Sequence, residues 1–204
     1  PPRGPIDLVI ADNVDFTNGY ATPFPSNRII VYTHPPVSSS SLRFYDEWSA
    51  LIITHELTHI FHLDRARGWW RLAQRIFGRS PAVMPNLYTP AWITEGLAVY
   101  YETRLTGSGR LVGTEHGMIA RAAIAEHGGP GLDELSLATS EYPGGQGAYA
   151  YGSLLLDHLS RTRGPEHIAE FVERTSAAPI PFFLNRAARR SFGITFDAAW
   201  REYR

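Results

Sequence analysis

The pentapeptide H-E-L-T-H at positions 55–59 constrains this chain more than any other feature, because it lies inside a segment with helical periodicity. Apolar residues recur at helical spacing through this segment and nearly encircle it, which predicts a buried central helix. Asp46 is the expected N-cap, and the basic residues and glycine at 65–68 predict the end of the helix. Residues four apart on a helix lie one above the other, so the side chains of His55 and His59 can face one ion.

Glu56, which follows the first histidine, indicates hydrolytic chemistry at such an ion. Zn²⁺ binds neutral imidazole nitrogens at about 2.0–2.1 Å and lowers the pKa of a bound water towards about 7. A carboxylate beside the ion can accept the proton of that water, which makes Glu56 the candidate general base. The alternative interpretation is that His55 and His59 are two core histidines of a structural helix.

A third ligand has to come from elsewhere, because a catalytic zinc site usually has three protein ligands and one water. His62 is seven residues from His55, about 10.5 Å along the helix axis, so we expect it to be a packed neighbour rather than a ligand. Glu95 is the better candidate, because its segment W-I-T-E-G-L-A is apolar and a carboxylate there needs a partner or a metal. Glu102 lies on the same helical face. It is either an acceptor for the remaining N–H of a ligand imidazole or an ordinary exposed carboxylate.

Strand patterns come first in the chain and helical patterns dominate afterwards, so the predicted fold class is α+β. Branched residues predict strands at Ile6–Ala11 and Arg28–Thr33, with turn and loop at 12–27 between them. Proline residues predict an irregular stretch before position 90. Further helices are predicted near Ala91–Leu105, Glu115–His127, Gln146–Thr162, Pro165–Ser176 and Thr195–Tyr203.

The length of 204 residues favours a single domain, 1–204, in which 1–66 supplies the strands and the first helix and 67–204 a helical lobe.

The 19 basic and 20 acidic residues leave a net charge of -1, which argues against a nucleic-acid partner held by phosphate neutralisation. No cysteine is present, which excludes disulfides, thiolate zinc sites, iron–sulfur clusters and a cysteine nucleophile. No apolar stretch approaches about 18 residues, so we expect no transmembrane segment.

The two motifs at 55–59 and 92–98 together resemble a known family. They are similar to the gluzincin clan of zinc metallopeptidases, in which a Glu in a W-x-x-E-G segment completes the zinc site. The chain more closely resembles the peptidase MA-like domain of bacterial envelope proteins, which often precedes a TolB-like β-propeller. This resemblance implies one zinc ion held by His55, His59 and Glu95, an extracytoplasmic location and, in the parent protein, a C-terminal β-propeller.

The resemblance also implies an architecture and a further catalytic group. A thermolysin-like arrangement would place a small sheet on one side of the H-E-x-x-H helix and a helical lobe on the other, with the strand at 28–33 as the edge that pairs with an extended substrate. In aminopeptidase-like gluzincins a Tyr in a Y-x-x-G segment donates a hydrogen bond to the oxyanion. Tyr149 is the positional match and Tyr151 a near alternative, although both could simply anchor their helix in the core.

These observations predict zinc-dependent hydrolysis of peptide bonds by metal-activated water, with Glu56 as general base and acid. The absence of a G-x-M-E-N segment, by which the related aminopeptidases hold a free N-terminus, argues against exopeptidase activity. One alternative is a catalytically inactive zinc-holding or peptide-binding module of a larger envelope protein. Another is a metallohydrolase acting on substrates other than peptides, because the chemistry does not by itself identify the substrate.

Overall fold

The structure is a computed structural model that describes residues 2–37, 41–136 and 142–204. Within those residues the chain is α+β and mostly helical, as the sequence predicts, with three strands followed by eight α-helices. The strands are β1 (Ile6–Ala11), β2 (Gly19–Thr22) and β3 (Asn27–Tyr32). The helices are α1 (Trp48–Leu63), α2 (Gly68–Phe77), α3 (Ala91–Thr106), α4 (Thr114–His127), α5 (Gln146–Arg163), α6 (Glu166–Thr175), α7 (Leu184–Phe192) and α8 (Phe196–Tyr203). Short 3₁₀ segments occur at Ser41–Phe44, Pro81–Val83, Pro85–Tyr88 and Glu134–Ser136.

The sheet has the order β1-β3-β2, so β3 is its central strand. β1 pairs with β3 in parallel and β2 pairs with β3 antiparallel. The expectation that the strand at 28–33 forms the sheet edge is therefore wrong, because β3 is paired on both sides. The two edge strands are β1 and β2, and β2 falls inside the 12–27 stretch predicted as turn and loop. Its four residues are too few to show an alternating pattern, and pairing with β3 supplies the order that local sequence does not.

One face of the sheet covers α1. Ile29 and Val31 of β3 pack against Leu51, Ile52 and Ile60 of the helix in one buried apolar cluster. The opposite side of α1 packs against α3. A helix held between two layers must be apolar nearly all round, which explains the encircling pattern in the sequence.

The larger core lies among α3, α4, α5, α6, α7 and α8. Within this core α3 and α5 approach each other closely, because Gly96 faces Gly152. A Cβ built on Gly96 would lie 2.6 Å from the carbonyl carbon of Gly152, so the two backbones are in direct contact. The contact between α3 and α5 at these glycines fixes the positions, relative to α1, of the residues that precede Gly96 and Gly152 in the two helices.

Several predicted elements are confirmed to within a residue or two, among them β1, α3, α4 and α5. Asp46 is not the N-cap of α1; Glu47 occupies that position without a side-chain capping bond. α2 and α7 were not predicted. α2 opens with Gly68, which has the pattern of a helix stop. The three arginines of α7 indicated only a solvated basic surface, although arginine is a good helix former. Among the described residues no helix combines the length and the apolar character needed to cross a membrane.

Candidate metal centre

α1 presents His55 and His59 on one face, one turn apart. Their ring centroids are 4.8 Å apart and the rings are nearly perpendicular, at 83°. Both side chains are buried because α1 lies between the sheet and α3. The sequence-predicted pair of imidazoles therefore faces a common point.

Glu95 of α3 meets the two imidazoles at that point. Its Oε2 atom lies 3.3 Å from His55 Nε2 and 3.3 Å from His59 Nε2. Ligands bound tetrahedrally at about 2.0–2.1 Å are separated from each other by about 3.3–3.4 Å, so this spacing fits a shared cation. Burial favours a neutral carboxyl, but the hydrogen-bonding and charge of the two imidazoles outweigh it and lower the pKa of Glu95. These three side chains could hold a metal ion.

Glu102, which lies on the same face of α3 as Glu95, fixes the orientation of His55. Its side chain is 0% exposed, and its Oε2 lies 2.8 Å from His55 Nδ1. If His55 Nε2 faces the ion, the proton is on Nδ1, which then donates to Glu102. The structure thus favours the acceptor role predicted for Glu102 over the exposed carboxylate.

Arg110, in the loop after α3, neutralises Glu102. Its Nη2 is 2.6 Å from Oε2, its Nε is 2.8 Å from Oε1, and its backbone N–H also donates to Oε1, at 3.2 Å. Arg110 Nη2 also lies 2.7 Å from His55 Nδ1; with the proton on Nδ1 both groups are donors, and Glu102 Oε2 is the acceptor that they share. Burial raises the pKa of Glu102, but the hydrogen bonds and charge of Arg110 outweigh burial and lower it. Sequence analysis missed Arg110, because a lone arginine in a glycine-containing loop carries no motif.

His59 is held less firmly than His55. Its Nδ1 is buried and has no hydrogen-bond partner within the described ranges. The Nδ1 atom of His55 thus has a charged hydrogen-bond partner, Glu102, whereas the orientation of the His59 ring depends on packing.

Glu56 is buried beside both histidines and faces the same cleft. Burial raises the pKa of Glu56, and the charges of His55 and His59 offset part of this shift. A carboxylate with a raised pKa is a stronger proton acceptor, which suits the role predicted for this residue.

The cleft above these residues has a volume of about 470 Å³ and is lined by β2, α1, α3 and the start of α5. Tyr149 of α5 lies in its wall. The Tyr149 ring stacks on His55, with centroids 6.1 Å apart, and Arg110 Cζ lies 5.3 Å from the Tyr149 ring centroid. Burial and the neighbouring Glu95 charge raise the Tyr149 pKa, which keeps its phenol a hydrogen-bond donor.

Tyr151, the alternative, lies elsewhere. It is buried in the helical core, with its ring 5.9 Å from that of Trp200 in an edge-on contact. Of the two tyrosines, Tyr149 is therefore the one that the structure brings to the candidate metal ligands.

β2 offers main-chain groups to the cleft. The Tyr32 N–H donates to the Asn18 carbonyl oxygen at 2.9 Å. Hydrogen-bonded positions alternate along an antiparallel pair, so the backbone groups at positions 18, 20 and 22 bond to β3. The backbone N–H and C=O groups of Gly19 and Ala21 therefore point away from the sheet. The Gly19 N–H is taken by its neighbour's side chain, Asn18 Oδ1, at 2.9 Å.

His62 does not take part in this centre. It lies on another face of α1, is 3% exposed and does not line the cleft. Burial lowers the pKa of His62 to about 3, so it is a neutral packed residue, as expected from its spacing.

Comparison with known proteins gave no match to this chain among family models, curated proteins or solved structures.

Proposed function

We propose that this chain is a gluzincin-like zinc metallopeptidase that hydrolyses peptide bonds. The observation that carries the proposal is the placement of two Nε2 atoms at 3.3 Å from one oxygen of Glu95, with the Glu56 carboxylate beside them in an open cleft. Site and sequence motif thus point to the same chemistry.

Zinc is the metal that suits these ligands best. Two imidazoles and one carboxylate form the donor set of many catalytic zinc sites, and three protein ligands leave a fourth position open. A structural zinc site is usually closed by four protein ligands, and only three candidates converge here among the described residues. Zinc, when bound, supplies Lewis acidity that makes water nucleophilic near neutral pH.

The residues around the metal ligands transfer the proton, stabilise the oxyanion and orient the ligand His55. Glu56 accepts a proton from the attacking water and delivers it to the leaving amine. Tyr149 donates its phenolic hydrogen to the oxygen that gains negative charge. Glu102 holds the Nδ1–H of His55, and Arg110 keeps the buried Glu102 ionised.

The edge strand β2 is the proposed binding surface for the peptide. The Gly19 C=O and the N–H and C=O of Ala21 face away from β3, and both residues line the cleft, so an extended peptide can add to the sheet there. Main-chain pairing tolerates many side chains, which predicts broad rather than narrow sequence preference. This proposal replaces the expectation that the strand at 28–33 binds substrate.

The family resemblance extends the proposal. A sheet on one side of α1 and a helical lobe on the other are consistent with a thermolysin-like architecture. By the same resemblance we propose a bacterial extracytoplasmic setting, with a β-propeller in the parent protein.

The decisive experiment is the Glu56→Gln variant loaded with one equivalent of Zn²⁺. We expect wild-type protein to cleave casein and quenched fluorescent peptides, and the variant to lose activity by about 10²–10⁴-fold, because the general base is gone. Zinc content by atomic absorption should stay at one per chain. Undiminished cleavage by Glu56→Gln would refute the role of Glu56. A zinc-loaded wild type that binds peptides without cleaving them would establish the inactive module instead.

A further inference from the structure

Helix α2 exposes large apolar side chains and buries a polar one. Trp69, Leu72 and Ile76 recur at helical spacing, within about 60° of one another around the axis, and form one outward stripe. They are between 52% and 67% exposed, whereas Gln74, on the other side of the helix, is 5% exposed. Phe77, at the end of α2, is a fourth exposed apolar side chain. A helix that only had to pack against the core would show the reverse arrangement.

The rotation of α2 is fixed by contacts on its buried side. Trp70 Nε1–H donates to Ala178 O at 2.6 Å, and Gln74 Nε2–H donates to Val83 O at 2.7 Å. Trp70 and Ala73 also pack with Val83 in a small apolar cluster. Turning the outward stripe towards the protein would break these contacts, so the fold itself holds the stripe in solvent. A contiguous exposed apolar patch with a polar rim is typical of an interaction surface.

The rim of the outward stripe is positively charged. Residues 65–94 contain five arginines and no acidic residue, although the net charge of the whole chain is -1. Arg71 and Arg75 form a second exposed stripe on α2, about 100° around the axis from the apolar one. In the ranges that the structure describes, neither of these two guanidinium groups forms an ion pair.

Two acidic side chains pair with the arginines on either side of α2. Asp64 lies 3.0 Å from Arg79, which follows the helix. Glu173 lies 2.7 Å from Arg65 and 2.5 Å from Arg67, which precede it. These pairs offset charge at the two ends of the segment and leave the two arginines of α2 uncompensated.

We propose that α2 binds the surface of a bilayer that contains anionic phospholipid. The helix lies in the plane of the interface, with Trp69, Leu72 and Ile76 among the acyl chains and Arg71 and Arg75 at the phosphate groups. An apolar stripe with tryptophan beside an arginine stripe is typical of interfacial helices, and the excess of arginine over acid favours an anionic surface over a zwitterionic one. α2 contributes no residue to the metal cleft, so the inference is independent of the proposed peptidase activity.

The test is co-sedimentation of the protein with lipid vesicles. Vesicles of phosphatidylcholine with about 30% phosphatidylglycerol are compared with vesicles of phosphatidylcholine alone at about 0.1 M salt. We expect at least tenfold tighter binding to the anionic vesicles, and loss of this difference at about 1 M salt, which screens the charges. The proposal is overturned if anionic vesicles bind no protein at the lower salt, and the role of the arginines is overturned if both kinds of vesicle bind equally.

Two double variants test the apolar stripe. Leu72→Gln with Ile76→Gln replaces it by a residue that favours helix, and Leu105→Gln with Met118→Gln makes matched changes at exposed positions of α3 and α4. We expect at least tenfold weaker binding to anionic vesicles for the first and wild-type binding for the second. Equal binding by the two would refute insertion of the stripe. Light scattering without vesicles tests self-association: a wild-type dimer that the first variant dissociates would assign the stripe to a second copy instead.

The arginine stripe has its own matched pair. Arg71→Gln with Arg75→Gln and Arg189→Gln with Arg190→Gln remove the same charge from exposed positions of α2 and α7. We expect at least tenfold weaker binding to anionic vesicles for the α2 pair and less than a twofold change for the α7 pair. An equal loss in both would make the binding a property of total charge and refute the assignment to α2.

Quenching of tryptophan fluorescence by lipids brominated in their acyl chains reports insertion. Trp69 is the most exposed of the five tryptophans. We therefore expect Trp69→Phe to lose most of the quenching, and the control Trp48→Phe to retain it. Quenching that survives Trp69→Phe would place another part of the chain in the bilayer and refute the proposed orientation.

Discussion

Gly96 of α3 and Gly152 of α5 face each other so closely that neither position has room for a Cβ. A Cβ on Gly152 would lie 2.0 Å from the carbonyl oxygen of Trp92, and one on Gly96 would lie 2.6 Å from the Gly152 carbonyl carbon. Gly96 directly follows the candidate ligand Glu95, and Gly152 comes three residues after Tyr149. The glycines of both motifs therefore serve to bring these two side chains to one cleft.

Gly152→Ala should push α3 and α5 apart. We expect a loss of about 3 kcal/mol in the free energy of unfolding, because the added methyl group meets backbone rather than a movable side chain. Urea denaturation measures this change. Gly145→Ala is the matched control, since a Cβ there meets nothing within 4 Å and Gly145 already has an ordinary φ of -62°. Equal stability of both variants would show that the crossing is looser than described.

Glu95→Ala should weaken metal binding by at least about 100-fold, because only the two imidazoles remain to hold the ion. Competition with a chromogenic zinc chelator gives the affinity. Glu126→Ala removes an exposed carboxylate of α4 and should leave the affinity unchanged. Unaltered affinity in Glu95→Ala would exclude this residue as a ligand.

Glu102→Gln should weaken metal binding by about 10–100-fold without abolishing it. The amide oxygen can still accept from His55 Nδ1, but the charge that orients the imidazole and pairs with Arg110 is lost. The same chelator competition measures the change. An affinity as low as that of Glu95→Ala would make Glu102 a direct ligand instead.

Tyr149→Phe and Tyr151→Phe form a matched pair, each removing one phenolic oxygen from α5. We expect Tyr149→Phe to lower kcat by about 10²–10³-fold with little change in KM, because a donor to the developing oxyanion disappears. Tyr151→Phe should retain wild-type kcat, since its ring lies in the core against Trp200. Steady-state kinetics on a quenched peptide compare the two, and the reverse result would exchange their roles.

His116 should make the fold acid-sensitive. Burial, and to a smaller extent the charge of Arg110, lower its pKa to about 4 from an ordinary value of 6.5. The unfolded chain therefore takes up a proton below about pH 6.5 while the folded chain does not. Stability falls as the pH drops from about 6.5 to about 4, by up to about 1.4 kcal/mol per pH unit for this group.

Urea denaturation of wild type and His116→Gln between pH 6.5 and 4 tests this sign. The variant should lose stability less steeply, whereas His127→Gln, at an exposed position, should follow wild type. Identical pH slopes for wild type and His116→Gln would contradict the buried neutral histidine.

The metal ligands could be predicted because the evidence for them is local. His55 and His59 are one turn apart on a helix whose apolar pattern is clear in the sequence, and Glu95 is a carboxylate in an apolar segment. The boundaries of α3, α4 and α5 were predicted closely for the same reason, because their ends carry glycine or polar stop signals.

β2, Arg110 and the choice between the tyrosines were decided by tertiary structure. β2 is too short to show a pattern and is ordered by β3, and Arg110 meets Glu102 only because the chain turns back after α3. Tyr149 and Tyr151 are two residues apart, which on a helix places them about 200° apart around the axis. Which of them faces the cleft depends on how α5 is rotated against α3, and that rotation is set by the contact between two glycine backbones.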